Sequence, residues 1–305
     1  MTRMNRRKFQ ATCESLETRE LLSTYYILNA FSGKVLDDPG FSASDGTAVQ
    51  QYQLTGGANQ KWNLVRLGNG NYEIFNAYNG KALEDPGFST ANGTVIQQNR
   101  LTGATNQEWN LGLLSNGYFE VVNAYSGKTL DDPNFSTASA IGIIQYQING
   151  DTNQQWNLVE ASSAPASRYY IENSYSHKVL DDPGSSTANG TQIIQYQFNG
   201  DTNQQWDVVP LANGNSLVVN VASGKVLDDP NSSTANGTPV IQYALHGGLN
   251  QQWGIAPFAN GNYEMYNPVS GKALEDPSFS VSNGTVIVQY QPNGLSNQQW
   301  KLRRV

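Results

Sequence analysis

From Tyr26 onward, apolar positions come in short clusters separated by turn residues, with almost no helical periodicity. Tyr26-Ile27-Leu28-Asn29 reads as a short strand, and Ser32-Gly33-Lys34 as a turn in which glycine adopts a positive φ at little cost. Val35-Leu36-Asp37 predicts a second strand, ended by Pro39 because proline cannot donate to a ladder. A polar loop then closes at Asp45-Gly46, a hairpin signal. Ala48-Val49-Gln50-Gln51-Tyr52 predicts a third strand, Gly56-Gly57 turns the chain, and Trp62-Asn63-Leu64-Val65 predicts a fourth. Four short strands in one such stretch predict an all-β unit.

The same stretch recurs. All six tryptophans, Trp62, Trp109, Trp156, Trp206, Trp253 and Trp300, are spaced by 47, 47, 50, 47 and 47 residues. An Asn-Gln pair precedes each one. Asn29, Asn76, Asn123, Asn173, Asn220 and Asn267 keep the same spacing. The Asp37-Asp38-Pro39 step returns in every copy, with Glu84 and Glu275 replacing its first residue in two of them. A fixed period of this length marks a repeat architecture. The single long interval contains Glu160-Ala161-Ser162-Ser163-Ala164-Pro165-Ala166-Ser167, the best linker composition in the chain. It splits the repeats three and three. The pattern therefore predicts two tandem β-trefoils, each of three ~47-residue four-stranded repeats. Their expected bounds are 24–160 and 168–305, with a leader at 1–23 and a linker at 161–167. A six-bladed propeller has blades of similar length but needs no linker halfway.

Gln-x-Trp, with Leu-Asp upstream and Gln-x-aromatic between, resembles the ricin B-chain lectin family over about residues 24–305. Six such motifs in register make the resemblance specific. It implies a shallow sugar pocket on each repeat, formed by an Asp, a Gln, a stacking aromatic and an Asn. Carried over position by position, the first repeat offers Asp37, Gln50, Tyr52, Asn59 and Gln60. The third offers Asp131, Tyr146, Asn153 and Gln154, and the fourth Asp181, Tyr196, Asn203 and Gln204. The fifth offers Asp228, Tyr243, Asn250 and Gln251. Physical chemistry supports that choice of residue types. An aromatic ring gives rigid contact area for the C–H face of a pyranose, and carboxylate and carboxamide groups pair with its hydroxyls.

The copies differ. Ile144, Ile194 and Ile241 stand at the Gln50 position, and strand alternation turns the following Gln145, Gln195 and Gln242 to the other face. Those pockets are expected to be weaker or to prefer another sugar. The second repeat, with Glu84 and Asn99, lacks the ring and is expected to be inactive. The sixth, with Glu275, Val288 and Tyr290, is left open. Several positions carry structural readings as well. The tryptophans are expected in the core, and the motif glutamines and asparagines as hydrogen-bonders to the backbone or the ligand. The second aspartate of each pair is expected to serve the turn before proline.

Composition removes other classes. A net charge of −7 and only 14% charged residues give no basic footprint for nucleic acid or an anionic membrane surface. No apolar run approaches the ~20 residues that span a bilayer. One cysteine and two histidines build no zinc site, and no cofactor motif is present. Adjacent aspartates in an extended segment point to opposite sides, which does not suit paired-carboxylate glycoside hydrolysis. The expectation is a stand-alone glycan-binding protein rather than an enzyme, and the family resemblance implies galactose or N-acetylgalactosamine as its sugar. The alternative is a structural or protein-binding trefoil, such as a protease inhibitor. At the N-terminus, Glu14–Ser23 is amphipathic and could form a short helix. Leu16-Glu17-Thr18-Arg19-Glu20-Leu21-Leu22-Ser23 resembles leaders of exported bacterial proteins, implying an extracellular or cell-surface location.

Overall fold

The computed structural model describes residues 20–305, with side chains from Ser23 onward. Thirty short strands alternate with twelve 3-10 turns, and the described residues contain no α-helix. The expected helix at Glu14–Ser23 lies mostly outside the described residues. Its last four positions extend the first strand, Glu20–Asn29, which pairs Leu21 with Val65 and Ser23 with Leu64.

Each repeat contains five strands instead of four. The predicted third strand is broken into Thr47–Ala48 and Gln50–Tyr52. The cause is a long-range ring of backbone hydrogen bonds. Val49 N–H donates to Ile96 O, Ile96 N–H to Ile143 O, and Ile143 N–H back to Val49 O, at 2.9–3.0 Å. Ile193, Val240 and Ile287 close an identical ring in the second half of the chain. Each central residue is thereby pulled out of its hairpin and into the core, where it is fully buried.

The strands form two sheets of fifteen, one from each half. In the first, Glu20–Asn29 pairs with Trp62–Arg66, which pairs with Tyr72–Asn76. Glu108–Leu113 and Phe119–Asn123 follow, and Trp156–Glu160 closes the circle on Glu20–Asn29. Three hairpins, of which Val35–Asp37 with Gln50–Tyr52 is the first, cap one end of this six-stranded barrel. The second sheet closes the same way, with one joint reduced to a single Ser216–Trp253 bridge. This is the β-trefoil arrangement. All six tryptophans are fully buried in the barrels. Each indole Nε1–H donates to a leucine carbonyl 26 residues earlier, as Trp62 does to Leu36 O at 3.0 Å.

A third apolar cluster lies between the barrels. Tyr26, Leu28, Val35 and Val159 from the first meet Val209, Leu217, Val219 and Leu245 from the second. This seam explains two runs that are apolar on both faces. Ile27 and Val218 point into the barrels, while their neighbours Tyr26, Leu28, Leu217 and Val219 fill the seam. The linker stretch is packed into it. Ala161 bridges to Leu211, Ala166 packs on the cluster, and Lys61 Nζ donates to Ser162 O at 2.7 Å.

Candidate functional site

The hairpin register places each first carboxylate opposite a defined partner. Asp37 faces Gln50, and Glu84 faces Gln97. Asp131, Asp181 and Asp228 face Ile144, Ile194 and Ile241, and Glu275 faces Val288. In the first repeat Gln50 Nε2 donates to Asp37 Oδ1 at 2.8 Å. Asn59 Nδ2 and Gln60 Nε2 donate to Asp37 Oδ2, each at 3.0 Å. Asp37 is 4% exposed, and burial raises the pKa of its carboxyl group against the opposing pull of these three amides. Glu84 is held by three amides as well, from Gln97, Asn99 and Gln107.

The later repeats hold their carboxylates more loosely, because isoleucine and valine have nothing to donate. Asp181 keeps Gln204 at 2.9 Å and Asp131 keeps Gln154 at 2.8 Å, while Asn203 and Asn153 stand near enough to pull their pKa down. Glu275 keeps Gln298 alone, at 2.6 Å. Burial raises the pKa of all three. Asp228 bonds Gln251 at 2.8 Å and Asn250 at 3.2 Å.

Three of these carboxylates open onto cavities. In the fourth repeat a cavity of about 500 Å³ is lined by Asp181, Ile194, Tyr196, Asn199, Asp201 and Asn203. In the fifth, about 460 Å³ is lined by Asp228, Ile241, Tyr243, His246 and Asn250. In the sixth, about 440 Å³ is lined by Glu275, Phe279, Val288, Tyr290, Asn293 and Asn297. A nearly buried carboxylate thus stands beside a tyrosine that is 37–41% exposed. The sixth repeat, open at the level of sequence, carries the same cavity as its neighbours.

The remaining candidates separate by depth. Gln60, Gln154, Gln204 and Gln251 are almost fully buried, and each shares its amide between the carboxylate and a backbone carbonyl, as Gln60 does with Gln53 O at 2.8 Å. Gln204 and Gln251 lie behind the carboxylates and do not line the cavities of their repeats. Asn59, Asn153, Asn203 and Asn250 donate to the backbone carbonyl of the second aspartate at 2.9–3.1 Å. The oxygens Asn59 Oδ1 and Asn153 Oδ1 have no protein partner. Tyr52 is half-buried, whereas Tyr146, Tyr196 and Tyr243 are exposed.

Three features escaped the sequence reading. His246 stands in the fifth cavity with Nε2 3.5 Å from Asp228 Oδ2, while its Nδ1 accepts from Gly248 N–H at 3.2 Å. Asp201 joins Asp181 on the fourth cavity wall. The second aspartates, read as turn residues, do precede the 3-10 turns but are also fully buried at repeat junctions. There the middle-strand glutamines, turned away from the pockets as alternation predicts, reach into the neighbouring repeat. Gln98 Nε2 donates to Asp38 Oδ1 at 2.9 Å, and Gln145 and Gln242 to Asp85 and Asp182 at 3.1 Å. Burial, assisted by the adjacent carboxylate, pushes Asp132 and Asp229 up to about 7.

A family model described as ricin-type beta-trefoil lectin domain-like matches residues 8–99, 105–196, 163–243, 202–290 and 249–305. No curated protein matches the chain. Among solved structures, the designed three-fold symmetric protein ThreeFoil is 41% identical, covers 45% of this chain and 99% of its own, and has a TM-score of 0.45. The Rhizoctonia solani agglutinin is 25% identical, covering 47% of this chain and 99% of its own, with a TM-score of 0.42. A mosquitocidal holotoxin is 19% identical over 93% of this chain, with a TM-score of 0.47, and this chain spans 34% of that toxin chain.

Proposed function

Because the chain belongs to the ricin-type β-trefoil lectin domain-like family, whose membership supports carbohydrate binding in general, we propose that it is a multivalent lectin for galactose-type glycans. One observation carries the reading: the same nearly buried carboxylate beside an exposed tyrosine on cavities of about 440–500 Å³ in the fourth, fifth and sixth repeats. The carboxylate accepts from vicinal sugar hydroxyls, and the tyrosine ring covers a C–H face. Asp37, Asp131, Asp181 and Asp228 are the primary ligand-binding residues, with Tyr52, Tyr146, Tyr196 and Tyr243 as stacking rings. Gln60, Gln154, Gln204 and Gln251 act as positioning residues for the carboxylates.

Binding without hydrolysis fits the arrangement of the Asp37-Asp38 pairs. Asp37 is held by pocket amides, while Asp38 is fully buried and bonded by Gln98 of the next repeat. Single shallow sites bind weakly, and several on one body raise avidity by about 10²–10⁴ when they engage together. We place the protein outside the cell on its leader motif. N-terminal sequencing of the native protein tests that placement: an intact Met1 on cytosolic material would remove it.

The functional test is a glycan array with residues 20–305, beside a variant with Asp37, Asp131, Asp181 and Asp228 all changed to Asn. Binding of galactose-terminated glycans by the parent, lost in a variant that keeps its near-ultraviolet circular dichroism, is the expected result. Absence of any glycan signal from the parent would overturn the lectin reading and turn attention to a protein partner.

A further inference from the structure

The 3-10 turn after each Asp-Asp-Pro step carries a residue that neither the family pocket nor the sequence reading uses. It is Phe41, Phe88, Phe135 and Phe279 in four repeats, and Ser185 and Ser232 in the other two. The backbone there is left-handed, with φ between 51° and 55° in all six copies. The phenylalanines accordingly stay 37–46% exposed. Each meets a second exposed ring from the adjoining repeat, edge to face. Phe41 pairs with Tyr78, Phe88 with Tyr125, Phe135 with Phe31 and Phe279 with Tyr175, at centroid separations of 5.0–5.1 Å.

The two rings come and go together. Where serine replaces phenylalanine at Ser185 and Ser232, the equivalent partner positions hold Ala222 and Val269. The pairs are also continuous with the pockets. Phe279 lines the sixth cavity with Glu275 and Tyr290. In the first repeat a Cβ built on Gly57 would lie 2.5 Å from Asn59 Oδ1 and 3.2 Å from Phe41 Cζ. The Phe41 ring therefore stands near the Asn59 amide that holds Asp37.

Building on the lectin reading above, we propose that each aromatic pair is a second sugar subsite, which seats the next pyranose of a glycan chain. The occupant follows from that continuity with the pocket: two exposed rings set against a monosaccharide pocket offer apolar contact and few polar groups, matching the C–H face of a second sugar. The first, third and sixth pockets then read the terminal sugar together with its neighbour. The fourth and fifth, with Ser185 and Ser232, read the terminal sugar alone.

The test titrates the protein with galactose and with a galactose-terminated trisaccharide, following side-chain shifts by NMR. A variant with Phe31, Tyr78, Tyr125 and Tyr175 changed to Ala removes the outer rings, which line no described cavity. The parent should bind the trisaccharide about threefold to tenfold tighter than galactose. The variant should keep its galactose affinity and lose that excess. The converse graft, Ser185→Phe at an exposed turn position with Ala222→Tyr at a half-buried one, should confer the excess on the fourth pocket and guards against a destabilised variant. Pairs that only staple neighbouring repeats would lower the melting temperature without moving the affinity ratio, and that result would overturn the inference. So would a parent that binds galactose with no excess for the longer glycan. A parent that binds neither sugar would overturn the galactose reading and this inference together.

Discussion

Repeats 1 and 2 surround their carboxylates with three amides each, whereas repeat 4 leaves Gln204 bonded to Asp181, with Asn203 nearby, and repeat 6 leaves Gln298 on Glu275. The backbone around them is the same, from the cross-strand register to the indole bond behind it. Much of the difference lies on the strand across: Gln50, and Gln97 with Asn99, stand where repeat 4 has Ile194 and repeat 6 has Val288 with Tyr290. An ionised carboxylate offers about four lone-pair sites. A neighbouring amide that occupies one removes it from a ligand. A glutamine beside the aspartate can therefore quiet a pocket as readily as complete it, which alters the expectation that the isoleucine pockets are the weaker ones.

The repeats differ at their pockets within a barrel as well as between barrels, Ile144 of the first matching Ile194 of the second, while the two cores should agree. Truncating a core tryptophan in each tests this most severely. Trp62→Ala and Trp206→Ala should each cost about 3–5 kcal/mol in denaturant unfolding, since both rings are fully buried and bonded alike. Clearly unequal costs would mean that the barrels differ in more than their pockets.

The buried second aspartates give the next effect. Asp38, Asp85 and Asp182 are pushed up to about 6, and Asp132, Asp229 and Asp276 to about 7, chiefly by burial. Their ordinary value is 3.8, so between pH 4 and 7 the folded chain holds protons that the unfolded chain has released. Stability must then fall as pH rises through that window. The melting temperature should be higher at pH 5 than at pH 8. Asp132→Asn and Asp229→Asn should flatten the profile to a similar degree, one in each barrel. A melting temperature that climbs from pH 5 to 8 would refute this account.

Much of this molecule was legible because its signals are local. Turn glycines, Asp-Asp-Pro steps and the tryptophan period are read within one repeat, and they place the hairpins and the first carboxylates. What was not legible depends on contacts between repeats. Val49 leaves its strand because Ile96 accepts its N–H from 47 residues away. Asp38 exceeds its turn role because Gln98 arrives from the next repeat. His246 reaches a pocket because its loop folds back over Asp228. The seam between barrels did leave a signal, the unbroken apolar runs Tyr26-Ile27-Leu28 and Leu217-Val218-Val219, which no one-sided strand needs.

The amide comparison itself is sharpened by exchanging the cross-strand residue. Ile194→Gln should place an amide on Asp181 as Gln50 does on Asp37, and lower galactose affinity at that pocket about two- to tenfold, the worth of one hydrogen bond. Gln50→Ile should raise it at the first pocket by a similar factor. Site-resolved NMR titration separates the two, and shifts in the opposite directions would mean that the glutamine serves the ligand more than it competes with it.

The smallest effect concerns one turn in which the second barrel departs from the first. Five repeats place glycine before the lysine of the first turn, Gly33, Gly80, Gly127, Gly224 and Gly271, with φ of 64–72°. The fourth repeat has His177 there, at φ 56°. Its ring is exposed, and its only ion-pair contact among the described residues is a 3.4 Å approach to Glu172, which Arg303 already pairs at 2.8 Å. A side chain in this region costs about 1–2 kcal/mol, offset by the about 0.5–1 kcal/mol of backbone entropy that glycine loses on folding. His177→Gly should therefore stabilise the second barrel by about 0.5 kcal/mol, read as a small rise in denaturant midpoint with an unchanged slope. A loss of stability would show that the imidazole contact with Glu172 outweighs the backbone strain.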